Sequence, residues 1–235
     1  KPGTVDESVH IPVIISQAGL HDVVYNTFNI GEGADVTIVA VTKTFGPGRV
    51  EEAIRAGIDD VGENRVQEFL GKADSVSIDC RWHLIGHLQS NKVNKAIGRF
   101  AMIQSVDSLK IAERLARAGE QRGLSTDVLI EVNTSGESSK HGFHPDETVE
   151  AFGEILQLSA LSVRGLMTVG PWVEEETVIA AAFSRLRELK EEIERSGGLM
   201  LEHLSMGMSD DFELAVREGS TMVRLGRVLF GERGS

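Results

Sequence analysis

From residue 36 onward, the hydrophobic pattern repeats one unit: a short apolar run, a turn, and a stretch with apolar residues at helical spacing. The first run, residues 36–42, consists of apolar and β-branched residues, which is typical of a parallel strand buried on both faces. Val50, Ala53 and Ile54 then form the stripe of a helix that starts near Pro47. Seven further apolar runs follow, at residues 58–62, 82–86, 101–106, 127–132, 162–169, 201–206 and 221–225.

Eight strand-and-helix units without a linker predict a single (β/α)8 TIM-like barrel over residues 36–235. A doubly wound open sheet is the alternative, but it usually has fewer strands, and no glycine-rich fingerprint follows the first strand. Residues 1–35 are less regular because glycines interrupt them, and the apolar run at residues 10–15 suits a strand or a helix. We expect a helix over residues 14–29, in a segment that packs on the barrel.

The composition excludes several classes of partner. Across the 235 residues the formal net charge is −12, which argues against a surface for nucleic acid or for an acidic membrane. No apolar run approaches the ~18 residues that a membrane-spanning helix requires. The single cysteine, Cys80, excludes an intrachain disulfide and suits a reducing cytosol, so we expect a cytoplasmic protein. Cys80 is interpreted as a packed residue rather than a nucleophile.

Lys43 follows the first buried run directly, before the turn at residues 46–48. In a barrel of this kind, chemistry lies at the C-terminal ends of the strands. Burial disfavours the charged ammonium and lowers its pKa, and a neutral amine can attack an aldehyde. Lys43 is therefore a candidate for a Schiff-base lysine. The alternative is a lysine whose head reaches solvent from the end of a strand.

The seventh and eighth strands carry a candidate phosphate site. Ser209 opens the helix entered through Asp210, where backbone N–H groups and a hydroxyl can hold an anion. Gly226 allows close approach of the backbone, and Arg224 or Arg227 adds positive charge. An ordinary helix cap and solvated arginines are the alternatives. An amine facing a phosphate site indicates an aldehyde-bearing phosphate ester, namely pyridoxal 5′-phosphate (PLP).

The histidines do not indicate a metal site. His83 and His87 flank the end of a strand rather than sharing a helix face, and His141 and His144 lie in a loop. Neither pair has a third ligand at zinc spacing in the sequence. We therefore predict no bound metal.

Eight segments carry a distinctive combination of residues, from about residue 36 to residue 231. They are AVTKTF (40–45), GENRVQEF (62–69), WHLIGHLQSNKVN (82–94), IQSVDS (103–108), EVNTSGESSKHGF (131–143), RGLMTVGP (164–171), LSMGMSDD (204–211) and VRLGRVLFG (223–231). Together they closely resemble the YggS/PROSC family of PLP homeostasis proteins. Residues 1–35 do not resemble the charged N-terminal helix usual in that family.

The resemblance implies a fold-type III PLP barrel, similar to the barrel domain of alanine racemase and present alone. It also implies roles for individual residues, although His87 stands where some members carry proline. The implied cofactor-binding residues are Lys43 as the PLP lysine, Asn64 at the ring pocket, Met206 in the pocket wall, Ser209 and Asp210, through their backbone, and Gly226 at the phosphate turn, and Arg224 beside the ring.

The resemblance and the residues both favour a carrier over an enzyme. A racemase of this fold needs a lysine and a tyrosine as opposed bases, but the one tyrosine, Tyr25, precedes the first barrel strand. The chain also ends about ten residues after the eighth strand, so we expect no second domain to supply a tyrosine. If Arg224 faces the pyridine nitrogen, its charge should keep that nitrogen unprotonated and the ring a poor electron sink.

We therefore predict a monomeric protein that buffers PLP or delivers it to apo PLP-dependent enzymes, with no catalytic activity. One alternative is a weak PLP-dependent racemase that uses Lys43 with His87 or His203 as the second base. Another is a barrel enzyme for a different phosphorylated metabolite, in which Lys43 acts only through its charge.

Overall fold

A computed structural model of the chain describes residues 36–231 in full and, of the residues before them, the backbone of 8–17 and 20–29. The two early strands are β1 (Ser8–Gln17) and β2 (Leu20–Asn29). From residue 36, strands and helices alternate, and the strands form a closed barrel. The barrel strands are β3 (Thr37–Val41), β4 (Asp60–Glu63), β5 (Arg81–Leu84), β6 (Met102–Val106), β7 (Thr126–Glu131), β8 (Leu161–Met167), β9 (His203–Ser205) and β10 (Met222–Leu225).

Pairing between the first and last barrel strands closes the sheet. β10 lies parallel to β3, with Val223 opposite Ile38 and Leu225 opposite Ala40. All neighbouring pairs around the barrel are parallel. The predicted (β/α)8 barrel is therefore confirmed, each predicted apolar run overlaps one strand, and an open doubly wound sheet is excluded.

Among residues 36–231, seven helices connect consecutive barrel strands, as the apolar stripes predict, and an eighth follows β10. They are α1 (Pro47–Arg55), α2 (Val66–Lys72), α3 (Val93–Ala96), α4 (Leu109–Glu120), α5 (Pro145–Ile155), α6 (Glu176–Gly197), α7 (Phe212–Arg217) and α8 (Arg227–Phe230). Pro47 and Pro145 begin their helices, where the missing N–H costs nothing. Of the helices in the described part of the chain, none is long and apolar enough to cross a membrane.

The helix predicted over residues 14–29 is wrong, because β1 and β2 form an antiparallel pair there. Both strands are rich in β-branched residues, such as Ile14 and Ile15 in β1. These side chains lose rotamer freedom in a helix and suit a pleated strand. The prediction that residues 1–35 pack on the barrel stays a prediction.

The core has two layers. Between the barrel and its helices, fully buried side chains include Leu115, Phe152, Phe183 and Leu186. Inside the barrel, five strands each contribute one residue to a packed cluster: Val39, Met102, Leu129, Met167 and Met222. The interior is thus filled with side chains, and chemistry is left to the strand ends.

Candidate functional site

The C-terminal ends of the barrel strands form a rim, which we call the mouth. Because all eight strands are parallel, residues that follow different strands meet at this rim. The structure brings the predicted cofactor-binding residues to this end of the barrel: Lys43 after β3, Asn64 after β4, Met206, Ser209 and Asp210 after β9, Arg224 within β10 and Gly226 after β10.

Lys43 lies two residues beyond β3 and is partly exposed rather than fully buried. The next residue, Thr44, has a φ of 69°, in the left-handed region that a β-branched residue rarely adopts. Such a conformation persists only when its surroundings hold it. The backbone at Lys43 is therefore constrained on its C-terminal side.

A buried ion pair constrains the backbone on the other side of Lys43. The Nζ atom of Lys72 donates to the carbonyl of Thr42 and to Oε1 of Glu63, both at 2.8 Å. The hydroxyl of Thr42 donates to the same Oε1 atom. Burial raises the pKa of Glu63, while the hydrogen bonds from Lys72 and Thr42 oppose that rise. This group fixes the peptide that leads into Lys43.

Lys72 and Glu63 were not predicted to have a role, although the sequence carries a signal for both. Lys72 continues the spacing of Val66 and Phe69 on the buried face of α2. A lysine on the buried face of a helix requires a buried acceptor, and Glu63 ends a short strand whose residues are all buried. The pairing of the two residues, however, depends on the tertiary structure.

The predicted phosphate turn is a contact between two loops. The Oγ atom of Ser209 accepts hydrogen bonds from the backbone N–H groups of Gly226 at 3.3 Å and Val228 at 3.4 Å. Arg227 pairs with the carboxylate of Asp210 at the protein surface. The two loops thus present a hydroxyl and two backbone N–H groups at one point of the mouth, and Arg227 is engaged with Asp210 beside them.

Arg224 lies inside the barrel rather than at this turn. Its buried guanidinium donates from Nη1 to the hydroxyl of Ser205 at 2.6 Å and from Nη2 to the carbonyl of Thr168 at 2.7 Å. Burial lowers the pKa of Arg224 to about 10, against the opposing effects of Asp211 and Glu131. The guanidinium is therefore charged at neutral pH, and two acceptors fix its orientation.

A chain of hydrogen bonds continues from Arg224 through the barrel. The hydroxyl of Ser205 donates to Oε1 of Gln104 at 2.7 Å, and Nε2 of Gln104 donates to Nδ1 of His83 at 3.0 Å. Since Nδ1 of His83 accepts, Nε2 carries the hydrogen and donates to Asp60 at 2.8 Å. Every donor in the chain thus points towards the carboxylate of Asp60.

Asp60 ends this chain at the start of β4, at the opposite end of the barrel from the mouth. Burial raises the pKa of Asp60, but hydrogen bonds from His83 and Arg81 outweigh burial and lower it to about 2. His203 begins β9 and so lies at the same end as Asp60. The suggestion of His203 as a second base beside Lys43 is therefore wrong.

A cavity of about 560 Å³ opens at the mouth, over the ends of β4 and β5. Of the predicted cofactor-binding residues, Asn64 lines it. The other lining residues are Arg65, Val66, Gln67, Glu68, Gly86, His87, Gln89 and Lys92. The cavity therefore lies to one side of the Ser209–Gly226 contact, which belongs to β9 and β10.

The closed parallel barrel has a lysine after its first strand, a hydroxyl after its seventh and backbone donors after its eighth, and it is the barrel of the alanine racemase N-terminal domain class. The family model described as "Alanine racemase, N-terminal domain" matches residues 20–234. Among curated relatives, the pyridoxal phosphate homeostasis protein of Aquifex aeolicus (strain VF5) is 42% identical, over 83% of this chain and 86% of the relative. The chain belongs to the pyridoxal phosphate homeostasis protein family, which confirms the resemblance found in the sequence.

Two further matches agree with this assignment. The pyridoxal phosphate homeostasis protein of Pseudomonas aeruginosa (strain PAO1) is 45% identical, over 85% of this chain and 86% of the relative. The structure of PipY from Synechococcus elongatus PCC7942, described as having PLP bound, superposes with a TM-score of 0.77 at 37% identity. The match covers 83% of this chain and 92% of PipY.

Glu131, at the end of β7, gives a testable pH dependence. Burial and the nearby charge of Asp107 raise its pKa from 4.5 to about 7, while Arg224 opposes the shift. Between about pH 4.5 and pH 7, Glu131 keeps a proton in the folded state that it has lost in the unfolded state. The free energy of unfolding therefore falls as the pH rises through this range. We expect the free energy of unfolding of Glu131→Gln not to show that fall. The difference in free energy of unfolding between Glu131→Gln and the original chain should therefore grow, in favour of the variant, by up to about 3 kcal/mol from pH 5 to pH 8.

Urea unfolding at both pH values measures this difference. Glu150→Gln, an exposed position on α5, is the matched control and should show no such gain. An equal dependence on pH in the original chain and in Glu131→Gln would contradict the prediction.

Proposed function

We propose that this chain binds PLP, holds it as a Schiff base on Lys43, and acts in PLP homeostasis by buffering the cofactor or delivering it. The observation that carries the proposal is the adjacency of Lys43 and the Ser209–Gly226 contact. β3 and β10 are hydrogen-bonded neighbours, with Leu225 opposite Ala40. An amine and a group of anion donors, about 180 residues apart in the sequence, therefore follow adjacent strands.

The residues present fit the two reactive ends of PLP. PLP supplies an aldehyde that condenses with an amine and a phosphate that accepts hydrogen bonds. The hydroxyl of Ser209 and the N–H groups of Gly226 and Val228 would hold the phosphate. A Cβ atom at residue 226 would lie 3.6 Å from Val41, an ordinary contact, so the protein itself does not exclude a side chain there. The same space would allow a phosphate group to approach the backbone of Gly226 closely.

The charge inside the barrel supports a carrier rather than an enzyme. Arg224 is held as a cation by Ser205 and Thr168. Beside the pyridine nitrogen, this charge would keep the nitrogen unprotonated and weaken the ring as an electron sink. Asn64 and Met206 would line the ring pocket. Recipient apo-enzymes and the monomeric state stay predictions.

One observation favours the alternative of a weak racemase. Nδ1 of His87 lies 2.6 Å from Oδ2 of Asp107 at the mouth. An imidazole oriented by a carboxylate is a common arrangement for a general base. His87 follows β5, whereas Lys43 follows β3, so a substrate would have to reach across the β4 end. The side chain of Tyr25, the one tyrosine, lies outside the described residues.

The first prediction concerns Lys43. PLP added to the protein should produce an absorption band near the visible, and borohydride should fix the cofactor on the peptide that contains Lys43. Lys43→Ala should show neither the band nor the labelled peptide. Lys92→Ala is the matched control, because Lys92 lines the mouth cavity but follows a different strand. Labelling of Lys92, or no band, would contradict the proposal, and the latter would favour a different phosphorylated ligand.

The second prediction tests the phosphate turn. Gly226 has a φ of −118°, which other residues adopt, so Gly226→Ala should change the free energy of unfolding by less than about 1 kcal/mol. The added methyl group would occupy the space assigned to the phosphate, so PLP should bind roughly tenfold or more weakly, about 1.4 kcal/mol. Gly153→Ala, in open space on α5, is the control for both measurements. Unchanged PLP affinity in Gly226→Ala would exclude this turn as the phosphate site.

The third prediction separates carrier from enzyme. The PLP-loaded protein is incubated with L-alanine in deuterated water, and α-proton exchange is followed by NMR. We expect no exchange beyond that caused by the same concentration of free PLP. Exchange at enzyme-like rates that is lost in Lys43→Ala would overturn the carrier, and formation of D-alanine that is lost in both Lys43→Ala and His87→Ala would establish the racemase.

A further inference from the structure

Three side chains that the proposed function does not use meet at the mouth. His87 follows β5, Asp107 follows β6, and His141 lies in the loop between β7 and α5. The Nδ1 atoms of His87 and His141 lie 2.6 Å and 3.6 Å from Oδ2 of Asp107. The sequence alone paired His83 with His87 and His141 with His144, whereas the cluster takes one histidine from each of these pairs and adds Asp107 from a different strand end.

Both Asp107 and the loop that carries His141 are anchored. The side chain of Asp107 is 7% exposed, and its second oxygen accepts a hydrogen bond from Ser108 at 3.2 Å. Directly after His141 and Gly142, the backbone N–H of Phe143 donates to the carbonyl of Glu131 at 2.8 Å. On the other side, Nζ of Lys140 donates to the carbonyl of Gly170 at 2.5 Å. The barrel thus holds the carboxylate of Asp107 and the backbone of the loop that carries His141 in place.

We propose that His87, Asp107 and His141 form a binding site for a divalent transition-metal cation of the zinc type. Two imidazole nitrogens and one carboxylate oxygen are a ligand set that such cations prefer, whereas Mg²⁺ and Ca²⁺ prefer oxygen alone. The candidate ligand atoms all lie within 4.8 Å of one another. Around tetrahedral zinc, with bonds of about 2.0–2.2 Å, ligand atoms are about 3.4 Å apart.

Binding requires the two imidazole rings to turn. They are stacked, with centroids 4.0 Å apart and planes at 12°. The Nδ1 atom of His87 donates its hydrogen to Oδ2 of Asp107 at 2.6 Å, so a cation that binds Nδ1 would release that proton to solvent, and the ring would turn until the two ligand atoms are about 3.4 Å apart. The side chains of His87 and His141 are 39% and 55% exposed, which leaves room for rotation. Asp107 is the fixed ligand, and the two histidines would close on the cation from solvent.

The site has one open coordination position. Three protein ligands leave a fourth place on a tetrahedral cation for water or a small anion, as in zinc sites that bind substrates. His87 also lines the mouth cavity, so the open position would face that cavity. The site lies on β5, β6 and β7, apart from the strands that carry Lys43 and the phosphate turn.

Calorimetric titration of the PLP-free protein with ZnCl2, in a buffer without phosphate, tests the proposal. We expect a site with a stoichiometry of one that is lost in His141→Ala and in Asp107→Asn. His144→Ala is the matched control, since His144 is 65% exposed and faces Asp146 at 3.6 Å but has no third ligand among the described residues. Zinc bound elsewhere, for example at Cys80 or at the histidines before residue 36, would remain in every variant.

Cobalt(II) provides a second readout. A three-ligand site should give the visible absorption of four-coordinate cobalt, and this signal should disappear in the same two variants. Zinc and cobalt binding that is unchanged in His141→Ala, or lost equally in His144→Ala, would overturn the proposal. The borohydride labelling of Lys43 in His141→Ala is measured alongside and should be unchanged, so that failure of the metal site and failure of PLP binding are distinguished.

Discussion

Hydrogen bonding between β10 and β3 closes the sheet, and the arrangement of the mouth depends on that closure. It brings Gly226, near the C-terminal end of the chain, beside Lys43, near the start of the barrel. Without the hydrogen bonds between β10 and β3, the sheet would be open and these two strands would be its opposite edges. The proposed PLP site therefore exists only because the parallel strands curve until the last one pairs with the first.

The two buried cations Arg224 and Lys72 both have hydrogen-bond acceptors, which the cost of their desolvation demands. Arg224 is connected to Asp60 through Ser205, Gln104 and His83, so a cation near the mouth is linked to an anion at the far end of the barrel. Lys72 and Glu63 form a second buried pair beneath Lys43. The first network orients the guanidinium of Arg224, and the second holds the backbone carbonyl of Thr42, directly before Lys43.

The fold could largely be predicted from the sequence because its signal is local. A buried parallel strand appears in the sequence as a short apolar run, and a helix on the outside of a barrel appears as apolar residues at helical spacing. Eight strands and the helices between them could therefore be recognised. The same reasoning failed over residues 14–29. The apolar pattern there is mixed and interrupted by a glycine, so it fits neither the period of a helix nor that of a strand clearly. Pairing with β1 determines the conformation of β2.

The sequence by itself determined that Lys43, Ser209 and Gly226 follow strands, and therefore that they share one end of a parallel barrel. It did not determine which side chains touch. Only the tertiary structure decided that Arg224 turns inward while Arg227 pairs with Asp210. The order and register of β5, β6 and β7 likewise decided that His87, Asp107 and His141 meet at the mouth. The spacing of apolar residues indicates which residues are buried. Contacts between side chains on different strands depend on how far each strand is shifted against the next, and no local sequence pattern encodes that shift.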